Sequence, residues 1–582
     1  MSDTACSRQL TLFSVGKQEV TVDFQGGQIV SDAGLLAVAQ LVEGLGILDD
    51  LAAQWPDPRC QAMVTHTSRE MLAQQIYQYL AGYFDFNDAN CTRHDPLFQA
   101  LAGVSPNDEH PLASGSTGAR FLHAYTRREA DKPPEEREVL FEQREAQLRR
   151  IRLLNEYLVE LFAKTRSSAP THVILDLDGS EDAAHGQQQL TFWNAHYDQN
   201  QYYPLFVLDG VTGFPLAAWL RPGNVHDSCG AVDTLREVVQ RLQQYFPGVT
   251  IFVRGDGAFG GPEMLDFCEA EGLSYAFGYG NHQGLKPRTA WFLEQLQLYY
   301  RFYPEDRVQR FDEITDYQAG SWRHPRRLVV KTEIQSIGTN QRVVVSNLSG
   351  TPRAVYQEFY MQRGNVPERP IGDLKNGLGS DRLSSPRFLA NFQKLLAHVL
   401  SYAIVVLFRE ATVAGAAAEL APAVAAASAL PTAATLPVVR VGQTQPVPVA
   451  QVPVVRVAAG TAAAPAPNLE ASSPPPAEPL PAGASCSVTH PLPPRKVPLE
   501  EMLQSLEGRG PSLWDVSKWE VSTLRHQLFK VGALVKTSVR RIWFHLSSHW
   551  PQEGLFVEVC RAVSRYVERF HQRRVAATGP PG

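Results

Sequence analysis

Two aspartates stand just beyond apolar runs that read as buried strands: Asp178 in LDLDGS and Asp256 in VRGDGAF. In an α/β sheet the strand fixes the backbone while the loop after it exposes the side chain, so strand ends present functional groups. A carboxylate there is costly to bury alone and must be solvated, paired with a cation or bound to metal. For either aspartate taken singly, a turn or helix-cap role stays open. A second cluster lies in YMQRGNVPERPIGDLKNG, with Tyr360, Arg363, Glu368 and Lys375. A helix running on from Glu368 brings up Lys375 seven residues later, close to two turns, so both share one face. That face offers a carboxylate for a metal ion and an ammonium for a phosphate; a solvated charge pair is the alternative. Pro367 and Pro370 suit a loop or a first helical turn, which sets Glu368 at a helix start. Asp373, turned away from Glu368, is the fallback acid.

The elements that must position these groups fall into four zones. Residues 1–165 read as helical. Ser31 can cap a helix with Leu35, Leu36, Ala39, Val42 and Leu45 at helical spacing, and a second helix starts from Ser68. A long charged helix covers 136–164. The zone suits DNA binding or packing and dimerisation, and it contains no sharp helix-turn-helix signature. Residues 171–410 alternate strands and helices: Thr171 to Gly179, a hairpin of Tyr202 to Leu208 and Phe214 to Leu220, a helix through Val232 and Leu242, then Val249 to Asp256 and Leu273 to Tyr279. That order is a mixed α/β layer, with a β-rich insertion at about 299–348. Residues 411–498 are rich in Ala and Pro, with too little large apolar surface for a core, and read as a disordered linker. Residues 499–576 read as a basic helical region.

The chain has 582 residues and a formal charge of −6, which alone gives no encouragement to a nucleic-acid partner. Lys518 to Arg574 nevertheless holds 11 Lys or Arg against four Glu, a local 11 − 4 = +7. This is a fair electrostatic footprint for DNA or, equally, a solvated helical face. The seven cysteines are scattered without a CxxC pair, which excludes a disulfide framework or zinc ribbon and suits a reducing, cytoplasmic compartment. Phe388 to Phe408 is the most apolar stretch, but Asn391, Gln393, Lys394 and His398 interrupt it. It reads as a buried helix, so no membrane partner is expected.

Taken together, these motifs resemble the DDE transposases of bacterial insertion sequences, in the cut-and-paste group with a Tyr-Arg-Glu-Lys signature around the third acid. The match rests on Asp178-Gly179-Ser180, RGDGAF, and Glu368 seven residues before Lys375, with HGQQ, YYPLFVLDG, LRPGNVHDS, DLKNGLGSDRLSS and LFKVGALV in order. One departure is that four residues, not three, separate Arg363 from Glu368. The resemblance implies an RNase H-like core whose β-rich insertion lies between Asp256 and Glu368. It further implies Asp178, Asp256 and Glu368 as catalytic ligands of two Mg²⁺ ions, with Mn²⁺ as substitute. Tyr360, Arg363 and Lys375 would contact DNA, Arg221 and His226 would line the catalytic face, and Trp322 would stack on an unpaired base, although a core Trp within the sheet is the stronger reading of that residue. The implied partners are the element's own terminal inverted repeats and target DNA, bound by a homodimer in the nucleoid. Two rivals stand beside this reading. VILDLDGS also resembles the first motif of haloacid-dehalogenase-type phosphatases, with Asp176 as nucleophile and Asp178 as acid, but Ala258, Phe259 and Gly260, directly after the GDG of Gly255 to Gly257, supply no further acid. The other rival is a decayed transposase that only binds DNA.

Overall fold

The structure, a computed structural model, describes residues 10–107, 110–122, 134–184, 186–365, 368–428 and 512–578. The N-terminal region expected to be helical opens instead with strands β1 (Leu10–Val15), β2 (Gln18–Val22) and β3 (Gln28–Val30). β1 and β2 form an antiparallel hairpin turning at Gly16, whose φ of 63° suits glycine. Helices follow over Leu35–Leu45, Ile47–Gln54 and Ser68–Ala81, and a long one spans Pro134–Thr165. Ser31 does not cap the first; its hydroxyl donates to Asp32 at 2.6 Å. The helix read from Ser68 does start there, capped by Thr67 in a reciprocal capping box with Glu70.

The core strands are β4 (His172–Gly179), β8 (Leu205–Asp209), β9 (Pro215–Trp219), β10 (Thr250–Gly255) and β11 (Ser274–Tyr279), while β5 (Asp182–Ala183), β6 (Phe192–Asn194) and β7 (Gln199–Tyr202) form a small side sheet. β12 (Arg307–Tyr317), β13 (Arg326–Gln335) and β14 (Gly338–Ser346) complete one eight-stranded mixed sheet, in the order β12-β13-β14-β11-β10-β4-β8-β9. β4, β10 and β11 are parallel neighbours, and β8 and β9 run antiparallel on the other side of β4. Parallel neighbours need crossover connections, here the helices Ala231–Tyr245 and Pro262–Ala270. The consecutive burial of Leu175, Asp176 and Leu177, on alternate faces, is what a strand covered on both sides requires.

β12 to β14 extend the sheet from β11, through the antiparallel pair β11 and β14. The segment expected as strand from about 299 is helical until Phe302, because Leu293, Leu296 and Tyr300 recur at helical spacing and pack with Val308 and Ile334. The C-terminal region, expected to be helical, contains the hairpin β15 (Ala533–Thr537) and β16 (Ile542–Leu546) between helices. Its Val, Ile, Trp and Phe residues favour strand, and β15 pairs with β3, so both ends of the chain share one sheet. They meet again where Gln40 donates to Ser564, at 2.5 Å, on the helix Glu553–Thr578.

The helix Phe388–Ser428 runs past residue 410 into the Ala/Pro-rich zone, since alanine is the strongest helix former. The rest of that zone, from residue 429, lies outside the described residues. Its Phe388–Ala414 part is apolar and long enough to cross a membrane, yet 89% of its most apolar window is buried inside the protein. Lys394 within it donates to the Arg382 carbonyl at 2.7 Å, and His398 stacks on Tyr79 with ring centroids 3.7 Å apart.

Candidate active site

Asp178 lies at the end of β4 and Asp256 immediately after β10, on adjacent parallel strands. Both carboxylates meet the guanidinium of Arg363, at 3.3 Å from Asp178 and 4.0 Å from Asp256. Burial pushes the Asp178 carboxyl up to about 6; Arg363 opposes that and the Asp256 charge adds to it. The Arg363 Nε is buried without a hydrogen-bond acceptor. Tyr360 packs beside them, its hydroxyl so close to Gly278 that a Cβ there would meet it at 2.9 Å. Burial raises the Tyr360 phenol, with Arg363 lowering it and Asp256 raising it.

Two residues before each aspartate, and therefore on the same strand face, stand Asp176 and Arg254, directly paired in the β4/β10 register. Arg254 is 2% exposed and grips both Asp176 oxygens, at 2.6 and 2.7 Å. Its remaining donors reach the Gly210 carbonyl at 3.3 Å and the Phe359 carbonyl at 2.8 Å. A Cβ at Gly210 would sit 2.6 Å from the Arg254 side chain, so glycine makes the room. One buried cation thus ties β4, β10, the β8–β9 turn and the segment that carries Tyr360 and Arg363. The RxD spacing of Arg254 and Asp256, matched by the DxD of Asp176 and Asp178, was the sequence signal for this pair. Fully buried and doubly bonded, Asp176 is no nucleophile, and the phosphatase reading fails on it.

Lys375 falls beyond the short helix Glu368–Gly372, in the widened π-type turn Asp373–Gly377. Its ammonium donates to Ser180 Oγ at 3.2 Å and Glu181 Oε1 at 2.8 Å, beside Asp178 in sequence. Against partial burial, which acts the other way, Lys375 draws the Glu181 carboxyl below its usual range. Glu368 starts the short helix Glu368–Gly372 and is exposed, and among the described residues no three acid, His or Cys groups converge as a metal site. Asp373 is committed elsewhere: it accepts from Arg409 at 2.9 Å and from the Val521 amide at 3.0 Å, which removes it as fallback acid. Val366 and Pro367, in the lengthened spacer, and His185 of HGQQ lie outside the described residues.

Trp322 is 5% exposed and packs among Tyr279, Tyr317 and Arg326, so it is a core residue and not a free stacking platform. Arg221 is also buried, with its guanidinium donating to the Tyr203 and Cys229 carbonyls, while His226 is exposed and bonded to Ser228. The chemistry of the donor set at Asp178 and Asp256 fits a hard cation: two carboxylates close together, one half-raised by burial, share a single guanidinium. Glu368 does not join that set in this arrangement.

A mixed sheet with paired aspartates at its strand ends defines a class of carboxylate sites suited to phosphate-ester chemistry. Residues 13–425 and 500–568 match the family described as transposase DDE domain group 1, and the chain belongs to that family. No curated protein matches it in sequence. Among solved structures it is similar to a piggyBac transposase synaptic complex with hairpin DNA. That likeness has 11% identity and a TM-score of 0.31, and it covers 64% of this chain and 74% of the other. A likeness so low carries no further argument.

Proposed function

We propose that this chain is a cut-and-paste DNA transposase of a bacterial insertion sequence, with an RNase H-like core, acting in the cytoplasm at the nucleoid. The observation that carries the reading is the meeting of Asp178 and Asp256 at Arg363 on adjacent parallel strands. Asp178 and Asp256 would hold divalent ions, two Mg²⁺ with Mn²⁺ as substitute, and Glu368 is the third ligand the resemblance nominates. Bound there, such ions activate a hydroxyl nucleophile and stabilise the leaving oxygen of a phosphodiester. Hydrolysis then frees a 3′-hydroxyl at the element end, which attacks target DNA in the same site. Arg363 and Tyr360 sit where they can hold a DNA backbone phosphate, and Lys375 does so once it leaves Glu181. The exposed Lys536, Arg540 and Arg541 on the β15–β16 hairpin, with Trp543 beside them, suit sequence-independent backbone contacts. Paired-end cutting requires a homodimer on the terminal inverted repeats.

The exposure of Glu368 favours one second reading, a decayed transposase that binds DNA without cutting it. Incubating the protein and its Asp256→Ala variant with element-end DNA and Mg²⁺ separates the two. Cleavage by the parent, lost in the variant while binding persists, supports the enzyme. Binding by both without cleavage under Mg²⁺ or Mn²⁺ supports the decayed form.

A further inference from the structure

The helix Lys286–Phe302 is apolar on both sides. Leu293, Leu296 and Tyr300 face inward against β12 and β13. On the other side Trp291, Leu298 and Phe302 recur at i, i+7 and i+11, one stripe of a helix, and are 59%, 51% and 72% exposed. Tyr299 and Tyr303 border the stripe, with ring centroids 5.1 Å apart. Large apolar side chains grouped on an exposed helix face mark a binding surface.

The charges around the stripe select its occupant. Lys286, Glu294, Arg301, Glu305 and Asp306 surround it, and among the described residues none has an ion-pair partner. Two cations against three carboxylates, with the nearby Arg288 paired to Asp316, give no net positive charge to attract a phosphate backbone. They do complement a second copy laid antiparallel on the first. Glu294 of one copy then lies beside Arg301 of the other, twice by symmetry. Parallel packing would oppose Glu294 to Glu294. We infer that Lys286–Phe302 is a homodimer interface, packed antiparallel on the same helix of a second copy about a two-fold axis near Leu298. This rests on the dimeric part of the proposed function and on none of its catalytic part.

The test uses the full chain without DNA, followed by light scattering and sedimentation over a dilution series. The parent should be a dimer. Leu298→Glu with Phe302→Glu, at exposed positions, should weaken association by more than about 100-fold while the melting temperature holds. Glu294→Arg and Arg301→Glu should each weaken it by roughly tenfold, since symmetry doubles every like-charge contact. Both changes in one chain should restore the dimer, and the two single variants should associate with each other better than with themselves. A parent monomeric at every concentration overturns the inference, as does a dimer indifferent to these changes. So does a charge swap that restores nothing, or protection of Trp291 by duplex DNA instead of by concentration. The test reads association alone: a parent without self-association removes the interface and leaves the catalytic reading to the cleavage assay above, and a dimer that fails that assay does the reverse.

Discussion

The two halves of the candidate site are built differently. Asp178 and Asp256 ride on the strands β4 and β10, whose register is fixed by backbone pairing and by the buried Arg254–Asp176 pair one pleat below. Tyr360, Arg363, Glu368 and Lys375 ride on short helical turns of different width: a π-type turn at Ala354–Phe359 and a tight turn at Tyr360–Asn365, then an α turn at Glu368–Gly372 and another π-type turn at Asp373–Gly377. Strand geometry has a period of two that tolerates little else, whereas a helix that switches width rotates every later side chain. The strand half therefore arrives assembled. Of the other half, only the part tied to the sheet, through the Phe359 carbonyl and Arg254, reaches the aspartates.

The largest effect expected from breaking this comparison is on cleavage. Asp178→Asn and Asp256→Asn should each lower the rate of DNA cutting by a factor of about 1,000 or more, with DNA binding retained. Glu368→Gln should cost distinctly less. Equal losses at all three positions would mean that DNA draws Glu368 into the site, and single-turnover cleavage at saturating Mg²⁺ reads the difference.

A smaller but structural break targets the link between the halves. Arg254→Met leaves Asp176 buried without its cation and should destabilise the protein by about 3–5 kcal/mol in urea melts. Combining it with Asp176→Leu removes both charges and should recover most of that stability, because a buried pair can be exchanged for apolar groups at little cost. Cleavage should not recover, since the Phe359 carbonyl still lacks its donor and Arg363 loses its anchor. Recovery of cleavage together with stability would reduce the pair to a packing role.

The same contrast explains what could be read in the sequence. The core strands and crossover helices were legible within three residues at each end, because apolar runs such as VILDLDG and VTIFVRGD have one stable placement. The meeting of Asp178 and Asp256 followed from their strand-end positions. The shared face of Glu368 and Lys375 was read on a uniform 3.6-residue turn that the segment lacks, and Lys375 is held by Ser180 and Glu181, contacts no local spacing reports. The strands at the chain ends were missed for another reason. β3 has only three residues, and its pairing with β15 joins positions some 500 residues apart, which no local periodicity reports.

The smallest effect concerns what the strand half costs the fold. Asp178 has its carboxyl raised from 3.8 to about 6, chiefly by burial, so the folded protein binds its proton more tightly than the unfolded chain does. Its contribution to stability is then fully present below about pH 4 and is lost as pH rises through about 6. A shift of that size corresponds to at most roughly 3 kcal/mol, and partial exposure of the side chain reduces it to about 1–2. Asp178→Asn removes the titration. The variant should match the parent near pH 4 and exceed it by about 1–2 kcal/mol near pH 8, in urea melts without metal, even as it loses cleavage. A variant less stable than the parent at high pH would show that the contact with Arg363 outweighs burial, and that the pair serves the fold as well as the chemistry.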